Sequence, residues 1–169
     1  MIEEYKMTFK RNLKYSFLIF LFIMTAPLIG IFYFLFLPVP NIDVLFKGCL
    51  YCFAITGMFW VPGILLHLSY YFNDKQKEIR FTKAGMELSS YNTLNLIKYQ
   101  SISRIEKVIA YGWRTPWNNY GFVRITANDN TVIKITCLLV DPFSLALQLS
   151  RNCDCQIEES VYGIPYFFV

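Results

Sequence analysis

The chain has 169 residues, of which 55% are hydrophobic, 18% aromatic and 17% charged. An ordinary soluble domain carries about 25% charged residues, so this composition excludes a chain that is water-facing throughout. The net charge of +4 does not call for a nucleic-acid partner, because cations flanking apolar segments are accounted for by anionic lipid headgroups.

In chain order, residues 1–14 are a basic N-terminus with Lys6, Lys10, Arg11 and Lys14. Residues 15–37 then run YSFLIFLFIMTAPLIGIFYFLFL, 23 residues without a charge. At about 1.5 Å per residue, such a helix crosses the roughly 30 Å of a bilayer's hydrocarbon. A cleaved signal peptide is the rival reading. The run is too long for one, its aromatics are too bulky for a small-residue cleavage site, and a second apolar run follows at once.

Residues 38–47, PVPNIDVLFK, read as a short external turn. Residues 48–72, GCLYCFAITGMFWVPGILLHLSYYF, form the second span, so the two make a transmembrane hairpin. Pro27 and Pro62 can kink these helices without forbidding them, and Gly30, Gly57 and Gly63 permit close helix packing. Cations lie before the first span and, as Lys75, Lys77, Arg80 and Lys83, after the second. The positive-inside rule then places both termini in the cytoplasm. The expectation is an integral membrane protein of a bacterial inner membrane, with Lys10, Arg11, Lys14, Lys75 and Lys77 at the bilayer surface. His67, the sole histidine, falls near the end of the second span, where an imidazole is expected to reach the headgroups.

Beyond Phe72 the pattern turns to alternation. EIRFT (78–82), MELSS (86–90), LNLIKY (94–99), SISRIEKVIAY (101–111), GFVRITA (121–127) and TVIKITCLLV (131–140) read as short strands. Lys83-Ala84-Gly85 and Asn128-Asp129-Asn130 read as turns between them. Ile102 and Ile105 point inward, with a bulge or helical turn where that strand begins. Asp141-Pro142 is an N-cap with proline at the first helical position, starting a helix whose leucines can lie on the strands. The outline is an antiparallel barrel or roll closed by one C-terminal helix. The remaining tail, 153–169, ends in six almost wholly apolar residues. It either adds a strand, or docks on the membrane or a partner.

A hairpin of spans, the turn Lys83-Ala84-Gly85-Met86, the strand Gly85-Met86-Glu87-Leu88, Ile102 and Ile105 leading into the middle strands, and the Asp141-Pro142 helix start together resemble the bacterial PH-like domain family, in its membrane-anchored type. The resemblance covers about residues 73–150. It implies a split or rolled barrel capped by a helix, here over residues 73–152. It does not imply phosphoinositide binding, because only Lys83 stands where paired cations would be needed, and fold alone does not license an activity.

Chemistry is sparse. No nucleophile has a soluble histidine to activate it, and no phosphate-binding glycine motif is present. Cys49 and Cys52 fall in an apolar helix, and Cys137, Cys153 and Cys155 do not make a zinc spacing. No enzyme activity, metal or cofactor is expected. The segment AYGWRTPWNNYGF (110–122) is the exception to this blandness, with aromatics on a loop. Trp113 and Trp117 can close a small core, lie at the bilayer surface with Arg114 near phosphates, or form an interaction surface. Tyr111, Trp113, Arg114, Trp117 and Tyr120 are therefore the contact candidates. The expected role is a non-enzymatic membrane-anchored binding module, an accessory or scaffold subunit whose partners are the bilayer and another membrane protein or a second copy. The alternative is a ligand-gated effector, similar to the membrane effectors of cyclic-nucleotide antiphage systems. In that role Tyr111, Trp113 and Arg114 would hold a nucleotide, and oligomers would breach the membrane.

Overall fold

The computed structural model describes residues 3–36, 42–90, 93–111, 115–153 and 155–163. The chain opens with a short strand, β1 (Glu3–Lys6), where the sequence suggests only a basic terminus. Two long helices follow, α1 (Phe9–Phe36) and α2 (Ile42–Asp74). Residues 42–47, read above as part of an external turn, are helical and extend α2. The segment from Phe9 to Phe32 is long and apolar enough to cross a membrane. The two halves of α2, Ile42–Met58 and Trp60–Asp74, meet that test only together, bent by 45°. Pro62 is the physical cause: it has no N–H for the Met58 carbonyl, and its ring crowds that carbonyl, so the helix bends one turn before it.

After α2 come β2 (Lys77–Phe81), β3 (Gly85–Ser90), β4 (Thr93–Lys98), a 3-10 turn at Tyr99–Ser101 and β5 (Ile102–Ala110). Next are β6 (Gly121–Ala127), β7 (Val132–Thr136), α3 (Pro142–Asn152) and β8 (Ile157–Tyr162). Among the described residues the strands form two four-stranded sheets, ordered β1-β2-β3-β4 and β7-β6-β5-β8, and not a closed barrel. The 3-10 turn and a register shift between Ile102 and Arg104 explain why β4 does not carry its pairing on into β5. Two edges of the sheets also depart from expectation. β1 pairs antiparallel with β2, Lys6 opposite Glu78. β8 lies parallel to β5, Ile105 opposite Ile157, because α3 carries the chain across the sheet before it turns back.

One core lies between the two sheets and under α3, with Ile79, Phe81, Met86 and Leu88 from the first sheet facing Ile105, Val123 and Ile125 of the second. Leu145 and Leu149 of α3 close it. The helix begins as its sequence suggests: the Asp141 carboxylate accepts from the Ser144 N–H at 2.8 Å. Gly85 allows β3 and β4 to approach, since a Cβ there would stand 2.2 Å from the Ile97 carbonyl oxygen.

A second core joins the helices to the second sheet. Ile19, Leu66 and Tyr70 pack against Val108, Trp117, Tyr120, Phe122, Cys137 and Leu138. The helices also pack on each other. A Cβ at Gly30 would meet the Cys49 sulfur at 2.5 Å, and one at Gly63 would meet Ile19 at 3.2 Å. Gly57 has a different neighbour, the Trp60 ring on its own helix.

Candidate functional site

The β5–β6 loop meets the base of the helices at one junction. Residues 115–120 fold locally into turns: Asn118 N–H donates to the Thr115 carbonyl at 3.2 Å and Tyr120 N–H to the Trp117 carbonyl at 2.9 Å. Ala110 N–H, donating to the Tyr120 carbonyl at 3.0 Å, continues the β5–β6 ladder into this loop. Pro116 is buried and lies against Gly63 of α2. Trp117 is only 6% exposed, and its indole N–H donates to the Gly163 carbonyl at 2.8 Å, just after β8.

Tyr120, 2% exposed, is the hub. Its ring makes edge or tilted contacts with Tyr15 (5.5 Å between centroids), Tyr70 (5.6 Å) and His67 (6.0 Å). Its hydroxyl donates to the Tyr15 carbonyl of α1 at 3.2 Å and lies 2.6 Å from Nδ1 of His67 on α2. A tyrosine hydroxyl both donates and accepts, so it can serve the Tyr15 carbonyl and the His67 ring nitrogen together. Burial pushes the Tyr120 phenol well above its ordinary pKa, so it stays neutral. One loop side chain thus ties both helices to the sheet.

A second tie sits at the end of α2. Asp74 is fully buried. Its carboxylate accepts from the Thr136 N–H at 3.0 Å and from the Thr136 hydroxyl, and Asn73 also donates to it. Lys77 Nζ stands 3.8 Å away and donates to the Asn73 side-chain oxygen at 2.7 Å. Arg11 of α1 donates to the Leu139 carbonyl. Behind these, the thiol of Cys137 is wholly buried, and burial pushes its pKa up to about 12, too high for a nucleophile near neutral pH.

These positions revise the expected sites. Trp117 and Tyr120 are buried among the chain's own helices and strands, so they are not an external contact surface. His67 is half-buried, with its Nδ1 on the Tyr120 hydroxyl. Lys77 is half-buried and Arg11 is committed to Leu139, which leaves Lys10, Lys14 and Lys75 as the exposed cations of the expected surface set. Tyr111 is 74% exposed, while Trp113 and Arg114 lie outside the described residues. Asp74 and Thr136 were not singled out by sequence. The available signal was an acidic residue at a helix C-terminus, where the helix dipole disfavours it and a specific partner is needed. Glu158 and Glu159, adjacent on β8, pair with Arg104 and, at 2.7 Å, Lys107. No cluster of three or more metal-ligating side chains occurs among the described residues.

A family model described as a PH domain matches residues 4–148, from β1 through both helices to α3. The chain belongs to the PH-domain family. Members of this family are typically non-catalytic modules that bind lipids or proteins. No curated protein and no solved structure matches the chain.

Proposed function

We propose that this chain is a membrane-anchored binding module, in which a helical hairpin holds a PH domain rigidly at the cytoplasmic face of a bacterial inner membrane, as an accessory or scaffold subunit of a membrane assembly. The observation that carries the reading is the place of the hairpin. It is inserted between β1 and β2, hydrogen-bonded neighbours in one sheet, so its two ends leave and re-enter the domain on the same side. Beyond the junction it presents continuous apolar surface, with Leu35 and Phe36 each 69% exposed, Ile42 75% and Met58 76%. In water that surface would be an adhesive patch far larger than a soluble monomer carries; in hydrocarbon it needs no cover. Lys10, Lys14 and Lys75 ring the hairpin's base, where anionic headgroups lie.

For a protein partner, the exposed member of the expected contact candidates is Tyr111, beside Val161 and Tyr162 of β8 and joined to them by its N–H donating to the Tyr162 carbonyl at 2.6 Å. Aromatic side chains on a sheet edge suit such a contact. Anchoring is tested by alkaline carbonate extraction, together with labelling of single cysteines placed at Phe46 and Asn128 in a cysteine-free chain. The expected result is a chain resistant to carbonate, labelled from outside at position 46 and only after permeabilisation at 128. Release by carbonate, or labelling of 128 in intact cells, rejects the reading.

A further inference from the structure

Between α1 and α2, just above the domain, lies a groove of about 570 Å³, within the usual size range of small-molecule and cofactor pockets. Its lining is almost wholly apolar: Leu13, Phe17 and Phe20 on one wall, Ile64 and Leu68 on the other, with His67 the only ionisable group among its lining residues. His67 turns its Nδ1 away to Tyr120. Two cations continue the walls toward the domain. Lys10 stands seven residues before Phe17 on α1 and Lys75 seven residues after Leu68 on the α2 side, in each case about two turns along the same helical stripe. Both are exposed, and neither forms an ion pair among the described residues; Lys75 lies over the Phe72 ring at 4.9 Å. By contrast, the nearby Lys77 and Arg11 are bound within the protein.

An apolar trough with a cationic foot matches an amphipathic anion whose charge lies at one end. We infer that this groove is a binding site for one anionic phospholipid, an acyl chain lying between Phe17, Phe20, Ile64 and Leu68 and the phosphate at Lys10 and Lys75. The inference rests on the hairpin spanning the bilayer, because only then is the foot of the groove at headgroup depth. It goes beyond general attraction of cations to a membrane: Lys10 lies at the start of α1 and Lys75 just past the end of α2, at the foot of opposite walls, because α1 and α2 pack antiparallel. A bound lipid would cover His67, and so would stiffen the His67–Tyr120 tie between the hairpin and the domain.

The test uses the purified full-length chain in mild detergent, offered dioleoyl phosphatidylglycerol or dioleoyl phosphatidylcholine and read by native mass spectrometry. One phosphatidylglycerol per chain is expected, retained about tenfold or more over phosphatidylcholine. Lys10→Gln with Lys75→Gln should abolish that preference while leaving any weak phosphatidylcholine retention unchanged. Leu68→Trp should displace both lipids; Leu68 is exposed, so the larger ring enters the groove without disturbing the core of α2. Equal retention of the two lipids, a preference that survives the double lysine change, or a lipid-free dimer that fills the groove with a second copy would each overturn the inference. Carbonate extraction separates the two levels. A chain released by carbonate brings down the anchoring and the lipid site together, whereas a resistant chain without lipid preference brings down the groove alone.

Discussion

A helix C-terminus carries partial negative charge, and α2 ends there with an aspartate. Asp74 is tolerated because its carboxylate is the acceptor for both polar groups of Thr136, with Lys77 nearby. Removing a buried acceptor leaves those groups desolvated and unpaired, which costs more than the bonds themselves stabilise. Asp74→Ala should therefore destabilise the folded chain by roughly 3 kcal/mol, and Asp74→Asn by clearly less, in thermal or denaturant unfolding of the detergent-solubilised protein. Equal stability of Asp74→Ala and the parent would show that the contact does not hold the helix. The His67–Tyr120 bond makes a different prediction, about coupling. In a cycle of His67→Ala, Tyr120→Phe and the double variant, the second change should cost about 1 kcal/mol less when the first is present. Strict additivity would mean that the two side chains do not act as a pair.

Elements are tied together with unequal strength, and burial decides which ties matter. β8 is stitched to β5 by Arg104–Glu158 and Lys107–Glu159, in which both glutamates and Arg104 are well exposed. Such surface pairs are worth about 0–1 kcal/mol. Glu106 is different: only 4% exposed, it receives Arg124 at 2.9 Å and the Ser160 hydroxyl of β8 at 2.6 Å. Glu158→Gln should thus leave stability nearly unchanged, while Glu106→Ala should cost on the order of 3 kcal/mol. Hydrogen exchange at β8 amides is the discriminating readout, rising across the strand in the second variant and not in the first.

For the whole molecule, the consequential fact is that no flexible linker separates helices from domain. β1 ends at Lys6 and α1 begins at Phe9; α2 ends at Asp74 and β2 begins at Lys77. The second core, with Ile19, Leu66 and Tyr70 against Trp117, Tyr120 and Phe122, belongs to both. A chain in which residues 8–75 are replaced by an Asn-Gly turn would still allow β1 to pair with β2. It would, however, expose Val108, Trp117, Phe122 and Leu138 together. We expect it to aggregate or bind a hydrophobic dye strongly, whereas a chain cut back only from Met24 to Met58 should keep the domain folded. A monomeric, dye-silent protein from the larger deletion would mean that the domain folds without its helices.

Much of this was legible locally. Two long helices follow from uninterrupted apolarity, the strands from alternation, the Asn128–Asn130 turn from its residues, and the start of α3 from Asp141-Pro142, because each of these depends on neighbours in sequence. The bulge or helical turn at the start of β5 was equally local, written in Ser101-Ile102-Ser103. The edges of the sheets were not. β1 is too short and too polar to announce itself, and it becomes a strand only through β2, from which it is separated by the entire hairpin. The parallel pairing of β8 depends on where α3 delivers the chain.

The functional reading divides along the same line. Sequence by itself determined that the chain has two long apolar helices, a PH-like body and a loop rich in aromatics. Only the tertiary structure decided where Trp117 and Tyr120 go, since Tyr120 meets Tyr15 across 105 positions and His67 across 53. Aromatic residues on a loop look the same in sequence whether they face a partner or their own helices. The choice is made by whether other parts of the chain arrive to bury them, and that is fixed by packing over distances that no local pattern records.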